Sequence, residues 1–192
     1  MAAPQRSGMS GEEYLAWEAE QEGKHEFLAG EIFAMVGASD RHVTIAGNLY
    51  AAIRDHLRSG PCRVYISDMK LRVNAVDAWF YPDVMVTCDP VDHQRDMDKT
   101  APVLIIEVVS PSTEAFDRGG KFAAYRTIPS LNEYLLIDPD SGRLELYRRN
   151  TENQWVLHTP LGDTPLDLCC IDLVLSRAIV FEDADPDQRL IS

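Results

Sequence analysis

No C-x-x-C spacing links the four cysteines, Cys62, Cys88, Cys169 and Cys170. Without a repeated framework they read as small buried hydrophobes, not as a disulfide scaffold or a structural zinc site. Basic residues are also scarce. Eighteen Lys and Arg stand against 31 Asp and Glu, a formal net charge of -13, so the global field opposes a polyanion. No apolar stretch approaches the ~20 residues of a membrane span, and Met1 to Ser10 shows no basic region followed by an apolar one. The expectation is a soluble, cytoplasmic protein with no membrane association. No internal repeat or low-complexity tract interrupts the 192 residues. That length suits one domain with its own core.

Two carboxylates stand where burial is expected. Val103-Leu104-Ile105-Ile106-Glu107-Val108-Val109 has no polar alternation and reads as a strand covered on both faces. An uncompensated charge there costs several kcal/mol. Trp79-Phe80-Tyr81-Pro82-Asp83-Val84-Met85-Val86 repeats the pattern in a second β-prone segment. Two buried acids on neighbouring strands suggest a shared cation. With no nearby Cys or His-x-x-x-His pair, Asp83 and Glu107 are hard oxygen ligands suited to Mg²⁺ or Mn²⁺. Such an ion supports phosphodiester hydrolysis by polarising a phosphoryl oxygen and activating water.

The elements around these strands follow from local signals. Residues 1–9 read as a disordered leader, 10–183 as a single domain and 184–192 as an acidic tail. Ser10 and Glu13 form a capping box for a helix to Glu20, and His25 to Met35 reads as two strands about a Gly turn. Val43, Ala46, Tyr50, Ile53 and Leu57 recur at helical spacing over Arg41 to Leu57. Extended segments are expected at Cys62 to Ser67 and Met69 to Val73, with a polar loop over Asp89 to Thr100. Asp117 caps a helix to about Ile128, closed by Pro129. Beyond it lie a strand at Glu133 to Ile137, an antiparallel meander through Arg143 to Arg149 and Trp155 to His158, and an apolar segment from Leu166 to Phe181.

Asp117, Lys121 and Tyr125 share one face of the helix after the Glu107 strand. A crossover helix packs back over its sheet, so Lys121 is a candidate to stabilise developing phosphate charge. Taken alone, Asp117 and Lys121 describe an ordinary i, i+4 pair on a solvated face more readily than a catalytic group. Asp68 and Lys70 alternate along a strand, which makes Lys70 a rival cation for Glu107. Glu31 is either a further acid of the site or a solvated hairpin residue. His42 opens the long helix as a candidate proton shuttle, although helix-start histidines are more often structural or exposed. Arg143, Arg148 and Arg149, and Arg41, Arg54 and Arg58, form modest basic clusters that suit phosphate contact or a solvated face.

The segments 25–32 (His-Glu-Phe-Leu-Ala-Gly-Glu-Ile), 67–70 (Ser-Asp-Met-Lys), 81–84 (Tyr-Pro-Asp-Val), 106–113 (Ile-Glu-Val-Val-Ser-Pro-Ser-Thr), 117–126 and 133–138 resemble the Uma2 family, over nearly the whole chain. The resemblance implies the PD-(D/E)xK nuclease superfamily. Its fold is a mixed central β-sheet flanked by helices, here with the C-terminal antiparallel meander, and its acids bind Mg²⁺. It makes Pro82-Asp83 the PD element and Glu107 the second acid. The position of the superfamily lysine, two residues on, holds Val109, so the lysine would come from the next helix as Lys121. The implied activity is a metal-dependent endonuclease acting on nucleic acid, with DNA the expected substrate; with so few Lys and Arg, strong DNA binding would call for a homodimer that pools two basic patches. The other reading is a non-catalytic nuclease-fold binding module whose acids persist as a buried ion-pair network.

Overall fold

The computed structural model describes residues 6–184. The chain builds two six-stranded sheets. In the first, β1 (Arg6–Ser7), β3 (Glu31–Ala34), β2 (His25–Leu28), β6 (Ala78–Phe80), β5 (Lys70–Val73) and β8 (Asp98–Lys99) lie side by side in that order. In the second, the order is β12 (Trp155–His158), β11 (Leu144–Arg149), β10 (Glu133–Ile137), β9 (Pro102–Val108), β7 (Val84–Thr87) and β4 (Arg63–Ile66). Each sheet contains one parallel pair, β5 with β8 and β9 with β10. The fold is mixed α/β, with helices flanking the sheets and the expected meander in β10–β11–β12. A small hairpin, β13 (Leu166–Leu168) with β14 (Leu173–Leu175), occupies the expected C-terminal apolar segment.

The expectation of one uninterrupted strand from Trp79 to Val86 is corrected. It divides into β6 and β7, which belong to different sheets. Pro82 is the physical reason, because it has no N–H to give to a ladder and is excluded from a strand interior. Asp83 thus occupies the corner where the chain passes from one sheet to the other.

Helix α1 (Gly11–Glu18) begins in the expected capping box: the Ser10 hydroxyl accepts from Glu13 N–H and the Glu13 carboxylate accepts from Ser10 N–H. It covers the outer side of β2, where Tyr14 stacks on Phe27 at 5.0 Å. Helix α2 (Asp40–His56) lies on the second sheet through Ile45, Ala46, Leu49 and Ile53. This stripe is rotated from the expected one, because Val43 is 59% exposed and Tyr50 and Leu57 only flank the core. Apolar residues on adjoining faces of α2 permit either rotation. Packing selected the face carrying Ile45 and Leu49, which with Ile53 are fully occluded.

Period-two alternation along β9 distributes its side chains between two cores. Leu104, Ile106 and Val108 join the cluster under α2, whereas Ile105 and Val109 join the cluster between the sheets and the β9–β10 crossover. Glu107, alternating with Ile106 and Val108, points into the second. That crossover carries α3 (Glu114–Phe116), a π-helical turn over Asp117–Lys121, and α4 (Phe122–Tyr125). The single regular helix expected from an Asp117 cap to Ile128 therefore begins earlier, at Glu114 after Thr113, is widened in the middle with Asp117 inside it, and ends at Tyr125.

Gly120 lies in that wide turn. A Cβ there would come within 2.5 Å of the Phe116 ring, which is itself packed against Phe33 and Phe80. Gly120→Ala is therefore expected to destabilise the protein by about 1–3 kcal/mol through overpacking, against the roughly 1 kcal/mol gain that alanine gives in an open helix. Urea unfolding checks the sign.

The cysteine expectation is also corrected. Cys62 and Cys88 form a disulfide between the start of β4 and the end of β7, while Cys169 and Cys170 are free. Pairing of Arg63 with Thr87 sets the two cysteines opposite one another, a proximity created by strand register and invisible in sequence spacing. Of the expected leader, residues 1–5 lie outside the described residues, and Arg6–Ser7 pair with Ile32 and Glu31. Of the expected tail, 185–192 lie outside them, and Ala184 still packs in the core.

Candidate active site

A cavity of about 600 Å³ opens where the two sheets and the crossover meet, lined by Glu26, His42, Asp83, Glu107, Asp117 and Lys121 among others. Register builds its floor. Val84 pairs with Ile106, so the same antiparallel pairing carried one residue on sets Asp83 beside Glu107. Asp83 is fixed there by accepting the Val108 N–H at 2.8 Å on Oδ2, while Oδ1 lies 3.0 Å from His42 Nε2. His42 reaches it from the first turn of α2, whose Ser39 cap accepts the His42 N–H.

The crossover delivers the cation. Lys121 Nζ lies 2.8 Å from Glu26 Oε1, 3.2 Å from Glu107 Oε1 and 3.3 Å from Asp117 Oδ1. Tyr125 donates its hydroxyl to Glu107 Oε1 at 2.8 Å, and Tyr134 donates to the Asp117 carbonyl at 3.0 Å. All three acids and the lysine are buried. The wide turn over Asp117–Lys121 belongs to a class of helix defect that recurs at functional sites. Here it presents Asp117 and Lys121 to the same acids.

Charge is unbalanced in this site. Burial, reinforced by the neighbouring acids, raises the Glu107 carboxyl well above its ordinary range despite Lys121. Burial likewise raises Glu26 against the pull of Lys121. For Lys121, burial favours loss of the proton, but Glu107, Glu26 and Asp117 overcome it and hold the ammonium well above the usual lysine range. One ammonium therefore serves three carboxylates, with Asp83 a fourth nearby.

The structure brings Asp83, Glu107, Lys121, Asp117, Tyr125 and His42 into one site. It places three other candidates elsewhere. Glu31 is exposed on β3, opposite Leu28, because the hairpin turns its side chain outward. Asp68 is exposed and ion-paired with Lys24. Lys70 sits 5.4 Å over the Tyr81 ring and makes no ion pair with Glu107, since β5 lies in the other sheet, two strands from Glu26. Glu26 was not singled out from the sequence. It alternates with Phe27 on β2, so Phe27 faces α1 and Glu26 faces Lys121, but a carboxylate in a short hairpin strand resembles a solvated one. Glu26 Oε1 also accepts the Tyr81 N–H at 3.2 Å, and Tyr81 donates its hydroxyl to Glu18 of α1 at 3.0 Å.

Among the described residues no three His, Cys, Asp or Glu side chains converge as a ready-made metal cage. Mg²⁺ does not require one, being held commonly by one or two carboxylates, water and substrate phosphate. The donor set suits it. Lys121 and Tyr125 both meet Glu107 at Oε1, and the acids outnumber the cations.

Comparison with known proteins agrees with this architecture. Residues 12–173 match the Uma2 family, described as "Putative restriction endonuclease". Two proteins of Synechocystis sp., uncharacterized proteins slr1290 and sll1609, are each 39% identical. The first aligns over 173 residues, 90% of this chain and 91% of the relative, and the second over 153 residues, 79% and 86%. A crystal structure from Anabaena variabilis, titled a putative nuclease belonging to DUF820, superposes with a TM-score of 0.75 at 19% identity, covering 91% of this chain and 98% of that one. This likeness establishes a shared fold. With a family match spanning most of its length and a site assembled from the acids that its sequence singles out, the chain belongs to the Uma2 family.

Proposed function

We propose that this protein is a Mg²⁺-dependent endonuclease that hydrolyses phosphodiester bonds of nucleic acid. The observation that carries the reading is the juxtaposition of Asp83 and Glu107 at the floor of an open cavity, with Lys121 as the single ammonium among buried acids. Asp83 and Glu107 would hold the ion, which when bound supplies Lewis acidity and a water of lowered pKa. Mn²⁺ meets the same ligand requirements. Lys121 stays protonated, so its part is electrostatic stabilisation of developing phosphate charge and not proton abstraction. Tyr125 orients Glu107 by donating to Oε1, and Val108 N–H orients Asp83.

One observation favours the second reading, a non-catalytic binding module. Lys121 contacts Glu26, Glu107 and Asp117 at once, as a purely structural ion-pair network would. Thermal melting with Mg²⁺ separates the two. For a hydrolytic site, free Mg²⁺ at about a hundredfold excess over its Kd adds roughly 2.7 kcal/mol. Asp83→Asn abolishes this gain together with cleavage, while the metal-free variant loses no more than about 2 kcal/mol from the altered His42 contact. Unchanged melting of the native chain in both Mg²⁺ and Mn²⁺ would sink the metal reading.

A further inference from the structure

The mouth of the cavity is poor in available positive charge. Each basic side chain lining it is already engaged by a carboxylate: Lys24 by Asp68, Arg41 by Asp140, His42 by Asp83, and Lys121 by its three acids. Segments 32–39 and 108–113, which border the opening, contain no charged residue. In their place stand exposed apolar side chains, Met35, Val36, Val43 and Ile66, of which Val36 is 68% exposed. Behind them the acids are deep, with Glu107 only 3% exposed.

A duplex binds chiefly through phosphate contacts from Lys, Arg and backbone N–H groups, and it is too stiff to fold its backbone sharply inward toward buried groups. This opening offers such a ligand no unpaired cations, and the acids it would have to reach are buried behind the rim. A single strand differs on both counts. One nucleotide can leave the stack, lay its base on apolar walls and carry its phosphate inward to the divalent ion that Asp83 and Glu107 would hold. The volume of about 600 Å³ falls in the range of pockets that enclose one small molecule. We infer that the substrate class is single-stranded nucleic acid, taken one extruded nucleotide at a time, and that uninterrupted duplex is refused. This inference rests on the hydrolytic reading of Asp83 and Glu107.

The test uses the full chain with fluorescein-labelled single-stranded oligonucleotides, in DNA and RNA forms, and the blunt duplex of the same sequence. Cleavage is followed in Mg²⁺ or Mn²⁺, and binding by anisotropy with Ca²⁺ in place of Mg²⁺. Expected results are binding of a single strand at least roughly tenfold tighter than duplex, and cleavage confined to the single strand. Val36→Asp, at an exposed position outside the acid cluster, is expected to weaken single-strand binding by roughly tenfold and leave duplex binding unchanged. Selective single-strand binding without hydrolysis of any substrate would remove the enzymatic reading and keep the strand selectivity. Hydrolysis of duplex at an equal or faster rate would overturn the selectivity and keep the enzyme. Equal affinities, or no binding of either single strand, would also overturn it.

Discussion

Replacing Lys121 by methionine is expected to cost about 3–5 kcal/mol of stability, the usual penalty for removing one partner of a buried ion pair. Methionine retains most of the side-chain volume and its contact with Phe80, so the loss reports charge and not a cavity. Glu26, Glu107 and Asp117 would then face one another with no compensating ammonium. The deficit has a definite pH signature. Protonation of the stranded acids relieves it, so the gap between variant and native chain narrows as pH falls from about 7.5 toward 5. Urea unfolding at the two pH values measures this. A cost below about 1 kcal/mol at neutral pH would mean that the acids do not depend on Lys121. Hydrolysis should be lost as well, since the same ammonium faces the cavity floor.

Glu107→Gln is expected to act oppositely on stability and function. Glutamine can still accept from Tyr125 and Lys121 but removes one of the competing negative charges, so the metal-free variant should unfold at equal or higher urea concentration than the native chain. Stabilisation by Mg²⁺ and hydrolysis should both disappear, the familiar conflict between a stable and a working site. The sign follows from linkage. A carboxyl whose folded pKa is raised binds more protons in the native state, so its destabilising effect is absent below the ordinary value of 4.5 and grows as pH rises toward the raised value. Native metal-free protein should therefore lose stability over that window, and Glu107→Gln should flatten the curve. A variant less stable by more than about 2 kcal/mol would contradict the charge imbalance described here.

Much of this site was readable because its signals are local. Glu107 interrupts a continuous apolar strand, and Asp117, Lys121 and Tyr125 fall on one helical face. What escaped depends on pairing between distant segments. Glu26 is revealed only when β2 is sandwiched between β3 and β6 with its inner face turned to the crossover. The Cys62–Cys88 bond arises from β4–β7 register, 26 residues apart in sequence. Pro82 carried a readable warning, since proline inside a strand demotes it, yet the division into separate sheets follows from the three-dimensional partners of β6 and β7. Lys70 illustrates the reverse error. Its alternation with Asp68 was visible, but its strand joined a sheet that holds it over Tyr81.

The corner at Pro82 gives the acid cluster a mechanical character. Glu26 rides on one sheet and Glu107 on the other, with the Lys121 ammonium bridging them, while Asp83 sits on the short link by which the backbone passes between the two. Any slip of one layer against the other alters the separations among these carboxylates. Seating a divalent ion between Asp83 and Glu107 would therefore fasten that link to the second sheet, and backbone amide exchange should slow in β7 and β9 beside it.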